Sequence, residues 1–262
     1  MHTNLLTEVD ARGVATVTMN RPELHNAFDD LMIKALNSEF LRLDADPQVR
    51  VVLLAASGKS FSAGADLNWM RRMADYSLEE NLADSMALAG LMRTLYGLSK
   101  PTIALVQGAA YGGGVGLVAC CDIALATDRA TFCLSEVKLG LIPAVISPYV
   151  MEAIGSRAAR RYFLTAERFD AIEAQHLGLV HELVAVEDLR ARGESLAALL
   201  IQNGPLALSA VKRLVAALTR TPIDDAMIAD TARRIADIRS SDEGKDGVGA
   251  FLQKRPPAWV KG

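Results

Sequence analysis

Three consecutive glycines, Gly112 to Gly114, constrain the fold of this chain more than any other feature. They lie in VQGAAYGGGVGLVACCDIAL, between an apolar run typical of a buried strand and another typical of a helix. A run of glycines costs backbone entropy, so the main chain must be needed without side chains there. The sequence predicts a strand-to-helix turn with N–H groups exposed at the positive end of a helix. Such groups can bind phosphate, stabilise an oxyanion during a reaction, or simply permit close helix–sheet packing.

The glycine turn matches neither common nucleotide-binding pattern. Gly108 and Gly113 have the glycine spacing of a phosphate-binding loop, but Gly114 stands where that loop needs lysine. Leu117 stands where the dinucleotide-binding pattern needs its last glycine, after Gly112 and Gly114. Both nucleotide interpretations are therefore excluded, and an oxyanion site or tight packing remains.

A second loop of small residues, SFSAGADLNWM, follows the apolar strand predicted at residues 49–57. One predicted helix separates this loop from the strand that leads into the glycine turn. It again puts a small-Gly-small sequence at the carboxyl end of a strand. Two such loops on neighbouring parallel strands can each direct one N–H group at the same atom. An enzyme that polarises a thioester carbonyl needs that arrangement.

The alternation of strands and helices predicts an α/β fold with a largely parallel sheet. Strands are predicted at residues 14–20, 49–57, 101–108 and 122–127, and helices at residues 29–46, at 78–98 and directly after the glycine turn. After about Pro143 the strand signal fades and the segments are helical. We predict an α/β core with the site over residues 1–199 and a helical C-terminal part over residues 200–262.

Composition argues against several kinds of partner. The 262 residues are 51% hydrophobic and 23% charged with a net charge of −3, so no nucleic acid or anionic membrane is expected to bind. No apolar run reaches the roughly 18–20 residues that span a bilayer, and the N-terminal residues do not resemble a signal peptide. Cys120, Cys121 and Cys133 form no disulfide-like pattern, which favours a cytoplasmic location. His176 and His181 lack the spacing of a helical zinc motif, so no metal is expected.

With both loops considered, the chain resembles the enoyl-CoA hydratase/isomerase (crotonase) superfamily over nearly its whole length. The motifs that carry the resemblance are NRPELHNAF, FSAGADL, PTIALVQGAAYGGGVGLVACCDIALA, SEVKLGLIP, LTAERFDAIEAQHLGLV and GVGAFLQKR, in that order. The resemblance implies a crotonase-like spiral of ββα units with a C-terminal helical trimerisation region, assembled as a trimer or a hexamer. It also implies a lyase that adds water to an α,β-unsaturated acyl-CoA, with coenzyme A as part of the substrate and no separate cofactor.

The resemblance further implies which residues act in catalysis. Ala65 and Gly113 would donate the two N–H groups of an oxyanion hole. Family hydratases commonly carry two glutamates: Glu136 matches the second of them, whereas Gly116 stands at the position of the first. Glu136 would then have to take a proton from water and return one to carbon, with a pKa raised by an apolar pocket.

The coenzyme A contacts are implied by the same motifs. The adenine would meet backbone groups near Ala63, and the segment 65–68 would lie along the coenzyme. Lys254 in FLQKR resembles the family position that reaches the coenzyme of a neighbouring subunit. The residues implied for coenzyme A binding are therefore Ala63, Ala65, Asp66, Leu67, Asn68, Gly113 and Lys254.

Some phrases point further, to one group within the superfamily. CCDIA, FCLSEVKLGLIPAVISPYV and RRYFLTAERFDA are most similar to bacterial methylglutaconyl-CoA hydratases of leucine breakdown and their carboxygeranoyl-CoA relatives. Those substrates are branched and carry a second carboxylate. Gly116 would leave space and relieve charge repulsion there. Arg71, Arg72 and, more weakly, Lys138 are candidate partners for that carboxylate, although each is also typical of an ordinary surface cation.

Two other functions stay open. A single glutamate that moves a proton between the α- and γ-carbons would make the protein an enoyl-CoA isomerase. One eukaryotic methylglutaconyl-CoA hydratase also binds AU-rich RNA through a lysine-rich helix. The matching helix here, residues 29–46, offers Lys34 and Arg42 against five carboxylates, which disfavours phosphate binding.

Overall fold

The computed structural model describes residues 4–219 and 221–260. The strands are β1 (Leu5–Val9), β2 (Val14–Met19), β3 (Val51–Ala56), β4 (Thr102–Val106), β5 (Ala110–Tyr111), β6 (Ile123–Thr127), β7 (Thr131–Cys133), β8 (Phe169–Asp170) and β9 (Glu182–Val184). The helices are α1 (Asp30–Ala45), α2 (Leu67–Met73), α3 (Leu78–Gly97), α4 (Gly113–Cys120), α5 (Ser147–Thr165), α6 (Ala171–His176), α7 (Leu189–Ile201), α8 (Pro205–Leu218), α9 (Asp225–Ser240) and α10 (Asp242–Gln253).

A six-stranded sheet with the order β1-β2-β3-β4-β6-β9 forms the centre of the molecule. Its strands pair in parallel except for β1, which is antiparallel to β2. A second sheet has the order β5-β7-β8. Because β5 follows β4 directly and β7 follows β6, the small sheet lies at the carboxyl ends of two central strands of the large one. The predicted largely parallel α/β fold is confirmed.

Burial on both faces explains the continuous apolar strands. Side chains of β2, β3 and β4 alternate between two core clusters, one under α1, α3 and α4 and one under α7. Helix α1 begins where the Asp29 side chain accepts from the N–H of Met32, and it buries one apolar face against α3. Helix α3 begins at a capping box formed by Ser77 and Glu80.

The strands predicted from periodicity correspond to β2, β3, β4 and β6, and the three predicted helices correspond to α1, α3 and α4. The sequence did not predict β1 or the short strands β5, β7, β8 and β9. Strands of two or three residues are too short to show a period of two, and only their pairing partners identify them. Helix α7 runs across the predicted boundary at residue 200, and each element that follows it in the described chain is a helix. The division into two parts stays a prediction.

Among the helices formed by residues 4–219 and 221–260, none combines the length and the apolar character that crossing a membrane requires. The cytoplasmic location stays a prediction.

Candidate active site

The two small-residue loops run side by side. Ser62 and Ala110 form a parallel bridge, in which the N–H of Ser62 donates to Ala109 at 3.0 Å and the N–H of Tyr111 donates to Ser62 at 2.9 Å. Ala65 lies three residues beyond Ser62, and Gly113 lies three residues beyond Ala110. The two predicted amide donors therefore lie at the same distance along the chain from the same bridge.

Two glycines allow the loops to approach each other at the next step. Gly64 has φ +91° and Gly112 has φ +50°, which are left-handed conformations that favour glycine. A Cβ atom on Gly112 would lie only 3.9 Å from the Cα of Gly64. Because these glycines directly precede Ala65 and Gly113, the structure brings the two predicted donors together.

The N–H groups of Ala65 and Gly113 are both free to meet a ligand. Phe28 pairs with the residues on either side of Ala65, donating to the carbonyl of Gly64 and accepting from the N–H of Asp66, both at 2.7 Å. The N–H of Ala65 therefore points to the other side of the segment. Gly113 is the first residue of α4, where an N–H has no partner within the helix. No acceptor for either group lies in the described parts of the chain.

Glu136 lies beside this pair of donors. It begins a short 3-10 turn after β7, and β7 is paired in parallel with β5. The N–H of Gly112 donates to the carbonyl of Cys133 at 2.9 Å. A Cβ atom on Gly112 would lie 3.2 Å from Oε1 of Glu136, so the carboxyl group faces the glycine turn. Oε2 of Glu136 is buried and has no hydrogen-bond partner within residues 4–219 and 221–260.

Burial raises the pKa of Glu136 above the ordinary value of a glutamate, and a hydrogen bond from its own backbone opposes this shift. The cause is the loss of water around the charged form. A carboxyl group with a raised pKa and an unpaired oxygen is suited to accept and return a proton.

Ile146 occupies the space beside Gly116. A Cβ atom at Gly116 would lie 2.3 Å from Cγ2 and 3.0 Å from Cβ of Ile146, and 3.2 Å from the end of Met92. Ile146 is 3% exposed. The expectation that Gly116 leaves space for a larger acyl group is therefore wrong on this face of α4, because an apolar side chain fills it. Gly112 and Gly116 are one helical turn apart, so Ile146 lies one turn along from the carboxyl group of Glu136.

The predicted coenzyme segment separates into outward and inward residues. Ala63, Leu67 and Asn68 are exposed, as is Ala65. The side chain of Asp66 is buried instead: one oxygen accepts from the backbone at the start of α2 and the other from Arg21. The carboxylate of Asp66 thus stabilises the loop from within.

The three candidate cations differ in whether they already have partners. Arg71 donates to the side chain of Asn68 at 2.8 Å, and Arg72 forms an ion pair with Asp30. Lys138 is exposed and has no ion-pair partner in the described parts of the chain. Lys138 is therefore the most available of the three for an anionic ligand.

Lys254 is exposed at the C-terminal end of α10, in a left-handed conformation with φ 54°. Helix α10 packs against α9. Across the residues described, no hydrogen bond joins the Lys254 side chain to the loops that carry Ala65 and Gly113.

Sequence reasoning missed two features of the site. Phe28 and Arg21 lie in the NRPELHNAF motif, whose role the sequence did not disclose, and they hold the loop that carries Ala65. Ile146 lies thirty residues beyond Gly116, and only their contact reveals that the two positions are one feature. The sequence around Ile146, between Pro143 and Pro148, contains no pattern that would predict this contact.

Comparison with known proteins finds chains of similar sequence and fold. The family model described as enoyl-CoA hydratase/isomerase matches residues 10–262. The crystal structure of an enoyl-CoA hydratase from Shewanella pealeana is 49% identical, with a TM-score of 0.96 over 98% of this chain and 96% of that one. The enoyl-CoA hydratase structure from Mycobacterium smegmatis is 36% identical, with a TM-score of 0.92 over 98% and 99% of the two chains. The short-chain-enoyl-CoA hydratase of Clostridium acetobutylicum is 31% identical over 96% of this chain and 95% of its own. The predicted crotonase-like fold is confirmed.

Proposed function

The chain belongs to the enoyl-CoA hydratase/isomerase family, and on that premise we propose that it adds water across the double bond of an α,β-unsaturated acyl-CoA. In this proposal Glu136 is the acid/base and the N–H groups of Ala65 and Gly113 form the oxyanion hole. The observation that carries the proposal is the buried Oε2 of Glu136, which has no hydrogen-bond partner among the described residues, on a carboxyl group that faces Gly112, the residue before Gly113.

The proposed reaction uses one carboxyl group twice. Glu136 takes a proton from water while the water oxygen bonds to the β-carbon, and the electron pair of the double bond moves onto the thioester oxygen. The amides of Ala65 and Gly113 stabilise that negative oxygen, and one such donor is worth roughly 10²–10³ in rate. The protonated Glu136 then gives its proton to the α-carbon, so the product has gained one water and the enzyme is unchanged.

Glu136→Gln tests the role of this carboxyl group. We expect turnover of crotonyl-CoA to be nearly abolished, because the amide cannot accept the proton of water, while the dissociation constant of the CoA ester changes little. Glu187→Gln is the matched control, since Glu187 is exposed and far along the chain. Activity of Glu136→Gln close to that of the control would refute the assignment.

We propose that the acyl group is branched and carries a second carboxylate, as in methylglutaconyl-CoA. The resemblance of several motifs to hydratases of such substrates supports this, and Lys138, which has no ion-pair partner among the described residues, offers a cation. We expect Lys138→Gln to lower kcat/KM for a carboxylate-bearing enoyl-CoA about 10-fold, since a charge-assisted hydrogen bond is lost. Activity with crotonyl-CoA should not change. Equal effects on both substrates would contradict this choice of acyl group.

Double-bond isomerisation is the second candidate function. The observation in its favour is that Ile146 fills the space beside Gly116, the position where family hydratases commonly carry their first glutamate. Of the two family glutamates this chain keeps Glu136, and one carboxyl group is enough to move a proton between two carbons. Turnover in water enriched in oxygen-18 separates the two reactions. Incorporation of the heavy oxygen means hydration, whereas a shifted double bond without incorporation means isomerisation.

We also propose that the chain forms a trimer or a hexamer through its C-terminal helices. Helices α8, α9 and α10 expose large apolar side chains that a second copy would cover, namely Val211, Val215, Ile228, Ile235, Val248, Phe251 and Leu252. In such an assembly Lys254 would approach the coenzyme of a neighbour. Light scattering coupled to gel filtration tests this, and a monomer at micromolar concentration would refute it.

A further inference from the structure

We propose that Phe28 is the positioning residue that sets the spacing between the N–H groups of Ala65 and Gly113. The inference rests on the proposed use of these two groups as an oxyanion hole. Phe28 is 2% exposed and would not itself touch the reacting atoms. Among the described residues, Phe28 is the one whose backbone pairs with the segment around Ala65 and whose ring also packs against Gly113.

The backbone of Phe28 fixes the first donor. Its N–H and carbonyl form hydrogen bonds of 2.7 Å with Gly64 and Asp66, the residues on either side of Ala65. These two bonds hold both peptide planes next to the Ala65 amide. The direction of the Ala65 N–H is therefore set by where the backbone of Phe28 lies.

The ring of Phe28 supports the second donor. A Cβ atom on Gly113 would lie 3.1 Å from Cδ2 and 3.1 Å from Cε2 of the Phe28 ring. That distance is tighter than an ordinary contact, so even a methyl group at position 113 would require the ring to move by a few tenths of an ångström. Helix α4 consequently rests with its first residue directly on the ring, and the ring limits how closely Gly113 approaches Ala65.

A buried guanidinium holds Phe28 itself in place. Nη1 of Arg21 donates to the carbonyl of Ala27 at 3.2 Å and to the carboxylate of Asp29 at 2.6 Å, on either side of Phe28. Nη2 donates to the carboxylate of Asp66 at 3.2 Å, beyond Ala65. Arg21 is 8% exposed, and both carboxylates also cap helices. The paired segments are thus joined by a network with little freedom to shift.

The contribution of this spacing follows from the geometry that an oxyanion requires. Two N–H groups must converge on one oxygen at about 2.7–3.1 Å, and a misplacement of about 1 Å can cost 10²-fold in rate. A smaller side chain at position 28 keeps the backbone pairing with Ala65 but lets Gly113 move towards the vacated space. The expected result is a lower kcat with an almost unchanged KM, because most coenzyme contacts lie elsewhere.

The test compares Phe28→Leu and Phe28→Ala with Phe40→Leu, a matched control on the buried face of α1. Phe40 is fully buried, so its replacement should cost similar stability without touching either loop. We expect kcat with crotonyl-CoA to fall about 10-fold in Phe28→Leu and about 100-fold in Phe28→Ala. KM should change less than about 3-fold, and Phe40→Leu should keep the wild-type kcat.

An infrared measurement separates positioning from a general structural role. The probe is butyryl-CoA labelled with carbon-13 at the thioester carbonyl, which cannot be hydrated. In the wild type the bound carbonyl should vibrate at lower frequency than in free solution, and in Phe28→Leu that shift should be largely lost. A wild-type protein without any shift would refute the oxyanion hole itself. A full shift and a normal kcat in Phe28→Leu would refute only the positioning role, as would equal losses of kcat in Phe28→Leu and Phe40→Leu without a change in the carbonyl frequency.

Discussion

Replacing Gly116 by alanine measures how firmly Ile146 closes the space beside α4. The new Cβ atom would lie 2.3 Å from Cγ2 of Ile146, whereas ordinary contact begins near 3.4 Å, so atoms must separate by about 1.1 Å. Ile146 is almost fully buried and β-branched, so it cannot rotate away easily. Overpacking of this kind costs about 1–3 kcal/mol.

Helix propensity opposes part of that cost. Alanine in the middle of a helix is favoured over glycine by about 1 kcal/mol, and Gly116 lies inside α4. Because the new Cβ would lie far inside contact distance, we place the overpacking cost in the upper part of that range, at about 2–3 kcal/mol. After the gain in helix propensity, we expect Gly116→Ala to lower the free energy of unfolding by about 1–2 kcal/mol, with a fall in Tm of about 2–8 °C. Chemical denaturation and thermal melting of the purified protein measure the two quantities.

The variants at Ile146 identify the atom responsible. Ile146→Ala removes Cγ2, whereas Ile146→Val keeps a methyl group at the same place. In a double-mutant cycle we expect Gly116→Ala to be favourable or neutral in the Ile146→Ala background and still unfavourable in the Ile146→Val background, with a coupling of about 1–3 kcal/mol in the former. A Gly116→Ala protein as stable as the wild type, or equal rescue by both replacements, would refute the reasoning.

Further predictions concern Glu136, Lys254 and Ser77. Because burial raises the pKa of Glu136 above its unfolded value, the folded state binds its proton more tightly, and stability falls as pH rises from the unfolded pKa through the folded one. Glu136→Gln should therefore raise Tm at pH 7 and have little effect at pH 4, as thermal melts at the two pH values would reveal. Since water activation needs the carboxylate, kcat should rise with pH through a pKa above that of an ordinary glutamate, and a profile with the midpoint of an exposed carboxyl would contradict the burial argument. Lys254→Ala should raise KM for crotonyl-CoA about 5–10-fold at unchanged kcat, because a contact of Lys254 with the coenzyme would contribute to binding in both the ground state and the transition state; an unchanged KM would remove Lys254 from the coenzyme site. Ser77→Ala removes the capping box of α3 and should cost about 1 kcal/mol in chemical denaturation, with activity retained.

The sequence by itself determined the features that depend on local order along the chain. Alternation of apolar and polar residues identified β2, short apolar runs identified β3, β4 and β6, and helical periodicity identified α1 and α3. The glycine turn was visible because the backbone of Gly112, with φ +50° and ψ −118°, is one that residues with a side chain rarely adopt. The motifs around Ala65, Gly113 and Glu136 were also recognisable, because each is a short continuous segment of the sequence.

The tertiary structure decided what depends on contacts between distant segments. The side chain that fills the space beside Gly116 belongs to Ile146, and the ring that supports Gly113 belongs to Phe28. Asp66 follows Ala65 in sequence, yet its carboxylate turns inward to Arg21. Close packing fixes such relations, since each depends on which surfaces meet when the sheets assemble, and a periodic pattern carries information about burial but not about the partner.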